Sequence, residues 1–244
     1  MCVDVNIHWK DNNHHAHIMG TTRQIKEIFH VEEIRVYFGV ILAASIFIAF
    51  NIRPLYPTLE ECFRHAFFQV GSIITTTGYA TTDFDLWPEV SKTILVLLMI
   101  IGACAGSTGG GLKISRLLIL CKSIPKQLSL VIHPREIKVI KMDGKAIEHQ
   151  VMRATNVYLA IYFFIILGST LFVSVDNFDF TTNFTAVVSA LNNIGPGLAG
   201  VGPTSNFGAF SVFSKFVLMF DMLAGRLELY PLLILFMPSL WRRK

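Results

Sequence analysis

Charge is scarce in this sequence. Only 16% of its 244 residues are Asp, Glu, Lys or Arg, against about 25% in an ordinary soluble domain. That shortage excludes a freely solvated globular enzyme of average composition. Cysteine is scarce too, and Cys2, Cys62, Cys104 and Cys121 show no C-x-x-C or other ligand spacing. A structural zinc site and a dithiol redox centre are thereby excluded. Three of the four lie in or beside apolar runs, as buried free thiols do. The opening "MCVDVNIHWKDNNHHAHIMG" lacks the apolar core of a secretory leader. Its His14, His15 and His17 read as solvated polar sequence rather than a metal site. The lysine of a phosphate-binding loop is also missing. "GSTGGGLK" follows the apolar run "TILVLLMIIGA", but G-x-x-x-x-G-K-[ST] requires lysine where Leu112 stands. An ATPase is excluded. The net charge of +4 sits in loops, so it reads as membrane topology and not as a nucleic-acid surface.

Apolar residues are abundant. They make up 52% of the chain, 20 of them Phe. Four apolar spans stand out, at about Ile34–Phe50, Val90–Leu120, Thr155–Val175 and Phe213–Leu240. The second is too long for one straight crossing of a ~30 Å hydrocarbon core, and its glycines supply a break. Two weaker segments, Thr58–Ile74 and Thr182–Leu191, are too short or too polar to cross alone. Pro57, Thr58 and Glu61 give the first a helix-start signature. Each ends in Gly, Thr, Asn or Pro, the composition of a re-entrant loop lining protein or water at membrane depth.

Lys and Arg set the expected orientation. Arg23 and Lys26, the loop from Lys122 to Arg153 and the terminal "WRRK" are basic. Glu60, Glu61, Asp83, Asp85, Glu89, Asp176 and Asp179 lie in the opposite loops. Both termini are therefore expected on the cytoplasmic side of a multi-pass protein.

An internal repeat links the two weak segments. With Gly78 laid on Gly195, 117 positions on, Phe67 meets Phe184, Val70 meets Val187 and Ser72 meets Ser189. "TTTGYA" then meets "NNIGPG". The unit is span, re-entrant helix, span, and it occurs twice. The helix C-termini would aim partial negative charge at mid-membrane, where a cation is favoured. The loops that follow can turn carbonyls inward in place of a hydration shell. Asp221, Arg226 and Glu228 lie within the last apolar span, where charge faces a partner or water. Arg226 is spaced to pair with neither acid on its own helix. It reads as lining or gating a pore, with an interhelical salt bridge as the alternative.

"SIITTTGY", "GACAGSTGGGLK", "HPREIKVIKMDGK", "ALNNIGPGL" and "AGRLELYPLLILFMPSLWRR" resemble the Trk/Ktr/HKT superfamily of potassium transporters. The likeness is strongest to the Trk-type membrane subunit and runs in order from about Glu33 to Arg243. It implies an all-α membrane protein of the inner membrane, in which four helix–pore-loop–helix units surround one pseudo-fourfold path. This chain resembles the C-terminal half: two repeats, about four spans and two re-entrant pore helices. The division expected is a polar segment 1–22, a first repeat 23–125, a cytoplasmic basic loop 126–150 and a second repeat 151–244. By resemblance, carbonyls of Thr76, Thr77, Asn193 and Ile194 coordinate the transported potassium ion, supported by Thr75, Gly78, Asn192, Gly195 and Gly197. Gly106, Ser107, Thr108, Gly109, Gly110, Gly111 and Lys113 form a gating loop, with Arg226 beside it. The resemblance implies no other cofactor and no catalysis. It implies a homodimer of the complete protein and a cytosolic nucleotide-binding regulatory subunit. Two of four loops do not enclose an ion, so a missing N-terminal half or a second chain is expected as partner. The alternative is a truncated subunit that assembles without conducting. Asp221 departs from the family's pattern.

Overall fold

The computed structural model describes residues 31–107, 109–133 and 139–227. The segment 1–22, Arg23, Lys26, Thr108, Glu228 and the terminal "WRRK" lie outside the described residues.

Helix α1, Glu32–Asn51, carries the first apolar span. Helix α2, Leu59–Ile74, begins where its start signal predicts, with Thr58 as cap: the Glu61 N–H donates to Thr58 Oγ1 at 3.3 Å. Helix α3, Glu89–Ile101, has only 13 residues, a rise of about 20 Å. It ends at Gly102, whose φ of +69° leaves helical geometry. After the glycine stretch the chain resumes as α4, Ile114–Ile132. This helix runs past Pro125 into the segment expected to be loop from 126. Proline there removes one backbone donor, which a helix of this length tolerates at a cost.

A short hairpin follows, β1 Lys141–Met142 against β2 Lys145–Ala146. Asp143 and Gly144 make its turn with φ of +50° and +76°, the left-handed pair that an Asp-Gly turn provides. Helix α5 runs from His149 to Val173. Helix α6, Phe180–Asn192, starts two residues before its expected start because Asp179 is an effective cap. Helix α7 is described over Val212–Leu227.

Two segments among the described residues, Glu32–Asn51 and His149–Asp176, have the length and apolarity to cross a membrane. Both turn large apolar side chains outward: Phe38, Phe47 and Phe50 from α1, Phe164, Leu167 and Leu171 from α5. A soluble protein seldom exposes such continuous faces. The core lies on the other side of these helices. Ile48, Ile52, Ile73, Leu95, Met99, Tyr162, Ile166 and Leu191 form one continuous cluster. Helix α6 is buried at ten of its 13 positions, including Thr182, Asn183, Thr185, Ser189 and Asn192. A short, polar helix buried nearly all round has to be built into the centre of the fold.

Candidate functional site

The loops after α2 and α6 have matching backbones. Thr76 and Asn193, 117 positions apart, have φ of +56° and +55°. Gly78 and Gly195, at the same spacing, also have positive φ, +79° and +117°. The hydrogen bonds match as well. The Thr76 N–H donates to the Ile73 carbonyl and the Asn193 N–H to that of Ala190, both at 3.0 Å. The Thr77 N–H reaches the Ser72 carbonyl at 2.9 Å, and the Ile194 N–H reaches that of Ser189 at 3.0 Å. These bonds turn the chain sharply off each helix end. Among the described residues, no N–H or O–H donates to the carbonyls of Thr76, Thr77, Asn193 or Ile194. A strongly polar acceptor left unpaired is costly unless water or a cation meets it.

Side chains brace both loops. Thr75 Oγ1 donates to the Gly71 carbonyl at 2.7 Å and lies 2.8 Å from Thr77 Oγ1. Ser72 Oγ donates to the Tyr79 carbonyl at 2.6 Å. In the second loop the Tyr162 hydroxyl donates to Asn192 Oδ1 at 2.9 Å, and Asn193 Nδ2 donates to the Met222 carbonyl at 3.1 Å. The Gly197 N–H donates to the Val201 carbonyl at 2.7 Å, and a Cβ at Gly197 would stand 2.7 Å from Val201 Cγ2. The acidic loops serve the same bracing. Asp85 Oδ1 accepts from the Ala199 N–H at 3.0 Å, and Asp83 Oδ2 from Thr204 Oγ1 at 3.1 Å.

The glycine stretch lies against both loops. A Cβ at Gly109 would stand 2.7 Å from Thr76 Oγ1, and one at Gly110 would stand 2.7 Å from the Asn192 carbonyl. Gly111 has φ of +93°. The stretch doubles back on the end of α3: the Leu112, Lys113 and Ile114 N–H groups donate to the Ile100, Ile101 and Ala103 carbonyls. The Ser107 hydroxyl donates to the Cys104 carbonyl at 2.8 Å. Gly106 is exposed. Lys113 is buried, and its Nζ donates to the Ala105 carbonyl at 3.4 Å. Thr108 lies outside the described residues. Arg226 is exposed in the last turn of α7. It follows Gly225, which packs so closely on the Leu191 carbonyl that a Cβ has no room.

Asp221 does not line an open path. It is fully buried and accepts from Ser169 Oγ of α5 at 2.7 Å. Residues of the site that local pattern did not reveal include Tyr158, Tyr162, Gly225 and Glu33. The Tyr158 hydroxyl donates to the Gly111 carbonyl at 3.4 Å. The only advance sign of these tyrosines was their four-residue spacing on one face of α5.

A mostly helical protein with segments able to cross a membrane is the class that this fold defines. The family model TrkH, "Cation transport protein", matches residues 56–243, and the chain belongs to that family. It is 34% identical over 222 residues to the Trk system potassium uptake protein TrkH of Salmonella typhimurium, covering 90% of this chain and 46% of that protein. It is 36% identical over 207 residues to the TrkH of Vibrio parahaemolyticus. The crystal structure of the potassium transporter TrkH from Vibrio parahaemolyticus superposes with a TM-score of 0.80 at 34% identity, covering 89% of this chain and 46% of that one. The chain thus spans about half the length of the curated relatives it matches.

Proposed function

We propose that this chain supplies two of the four units of a potassium pathway across the cytoplasmic membrane. Carbonyls of Thr76, Thr77, Asn193 and Ile194 form its half of the selectivity filter. The observation that carries this reading is the paired loop geometry: two left-handed turns, 117 residues apart, with the same four carbonyls unmet by any described donor. Each follows a short helix whose C-terminal dipole favours a cation. Thr75, Gly78, Asn192, Gly195 and Gly197 hold those loops. The stretch Gly106–Gly111, with Lys113 and Arg226, gates the path. Its support is the contact of Gly109 with Thr76 and of Gly110 with Asn192. The basic segments face the cytoplasm, where a nucleotide-binding subunit docks, and the two further units come from a missing N-terminal half or a second chain. The complete protein is a homodimer.

The test is potassium uptake in cells lacking their own uptake systems. The chain expressed alone is expected to give none, and co-expression with a segment carrying two further repeats is expected to restore it. A second reading, a subunit that assembles without conducting, is favoured by the 46% coverage of the relatives. It predicts co-purification with that segment but no uptake.

A further inference from the structure

We propose that Glu33 is the latch of the glycine stretch, and that Glu32 beside it ties this latch to the β1–β2 hairpin. The inference rests on the gating role proposed for Gly106–Gly111. Glu33 lies in the first turn of α1 but is only 3% exposed. Its Oε1 accepts from the Ala105 N–H at 2.6 Å, across 72 residues of sequence. The carbonyl of the same Ala105 accepts from Lys113 Nζ at 3.4 Å. The residue that leads into the stretch is therefore held by a carboxylate on its amide and an ammonium on its carbonyl. The far limb, Leu112 to Ile114, is anchored on α3 by backbone bonds. The near limb takes its anchor to another helix from Glu33. Lys113 holds a φ of +66°, a conformation that is strained for a non-glycine residue and persists only where surroundings enforce it.

Glu32 faces a different set of partners. Its N–H donates to Asp143 Oδ1 at 2.7 Å, and its carboxylate pairs with Lys122 Nζ. Lys122 Nζ also donates to the Lys141 carbonyl at 2.9 Å. Lys141 and Asp143 belong to the hairpin, so the hairpin is fastened to the first residue of α1 by two links. Displacing the hairpin pulls on Glu32, and Glu33 is the next residue. A buried carboxylate is costly without a donor. Glu33 therefore has two stable arrangements, on the Ala105 amide or withdrawn to water, and the stretch is held in one and released in the other.

Cys104, half-buried beside Ala105, is the probe, in a full chain whose other cysteines are replaced by Ser. The readout is its labelling rate with a water-soluble thiol reagent. Glu33→Ala is expected to raise the rate about tenfold, the loss of one charge-assisted hydrogen bond. Glu33→Gln keeps the acceptor oxygen and is expected to stay within about twofold of the parent. Glu32→Ala and Asp143→Ala, which remove links to the hairpin, are expected to raise it about threefold. A parental rate in Glu33→Ala, in a monodisperse and helical protein, overturns the latch. Where Glu33→Ala fails to insert, Glu33→Asp decides: it falls one methylene short of the amide, and an unchanged rate overturns the proposal equally. Potassium flux through the complete assembly separates the two ideas. Faster labelling without altered flux leaves the latch standing and sinks the gating role. Altered flux in Gly110→Ala with unchanged labelling in Glu33→Ala does the reverse.

Discussion

The carbonyl of Ile194 occupies the space that a Cβ on Gly78 would need. The first loop therefore touches the second at a residue with no side chain. Two glycines at equivalent positions are consequently not equivalent in cost. Gly78 combines a φ of +79° with this contact, whereas Gly195 has a φ of +117° and open space around it. Gly195→Ala carries torsional strain alone, about 1–2 kcal/mol. Gly78→Ala carries the same strain and must also push the Ile194 carbonyl aside. In the complete assembly, Gly78→Ala is expected to abolish discrimination of potassium from sodium, and Gly195→Ala to weaken it about tenfold or less. Ion-competition uptake measures both. Equal effects would show that the contact across the loops is irrelevant to selectivity.

The glycines of the Gly106–Gly111 stretch separate in a similar way. Gly110 opposes backbone, the Asn192 carbonyl, and Gly109 opposes a side chain, Thr76 Oγ1. A side chain can be shortened and a backbone cannot. Gly109→Ala is expected to destabilise by about 1–3 kcal/mol, and Thr76→Ala in the same chain to recover most of it. Gly110→Ala is expected to gain nothing from Thr76→Ala. Denaturant unfolding of the four variants in detergent forms the cycle. A coupling energy near zero between positions 76 and 109 would mean that the stretch stands away from the first loop in solution.

Patterns local in sequence made much of this fold legible. Helix α2 starts at Thr58 because a capping residue and an acid three positions on are a local device. Gly102 ends α3 because its torsion is a property of one residue. The 117-residue spacing is legible because both loops take glycine at the second turn, Gly78 and Gly195, whereas Thr76 gives no such sign, since a β-branched residue seldom adopts a left-handed torsion. Contacts across the fold left no such trace. Glu33 reads as the lead-in to an apolar helix, and nothing near it points to Ala105. Gly225 reads as an ordinary glycine in an apolar helix until the Leu191 carbonyl is placed against it. Asp221 reads only as a charge that faces a partner or water, with no role assigned, because a helix by itself does not say which neighbour its acid meets.

Asp179 makes the start of α6 sensitive to acid. Its Oδ2 accepts from the Thr182 N–H at 3.1 Å, and Thr182 Oγ1 donates to its other oxygen. These bonds, led by the Thr182 hydroxyl, hold the carboxyl below its ordinary value of 3.8. A lowered folded value means stability that is present above pH 3.8 and lost as pH falls through the folded value. Asp179→Ala is expected to cost about 1 kcal/mol near neutral pH, and Asp179→Asn much less, because Asn also caps. Asp179→Asn is further expected to flatten the acid limb of the stability profile. Thermal unfolding from about pH 5 to about pH 2.5 reads this directly. An acid limb as steep in Asp179→Asn as in the parent would assign it to other groups.

Ser169 and Asp221 form the buried polar contact between α5 and α7, with the hydroxyl donating at 2.7 Å and the other oxygen of Asp221 unmet by any described donor. Removing the donor and removing the acid therefore have opposite consequences. Ser169→Ala leaves a buried acid without a described partner and is expected to destabilise by about 1.5–3 kcal/mol. Asp221→Leu removes the group that needs satisfying and leaves only a hydroxyl, which can turn to the carbonyl one helical turn back on its own helix. The double variant Ser169→Ala with Asp221→Leu is expected to regain most of the stability lost in Ser169→Ala. Unfolding measurements on the three variants test this. If Asp221→Leu leaves stability unchanged yet abolishes potassium flux in the complete assembly, the acid acts on the pathway after all. If flux persists, the contact is a joint between two helices, and the charge work on α7 falls to Arg226.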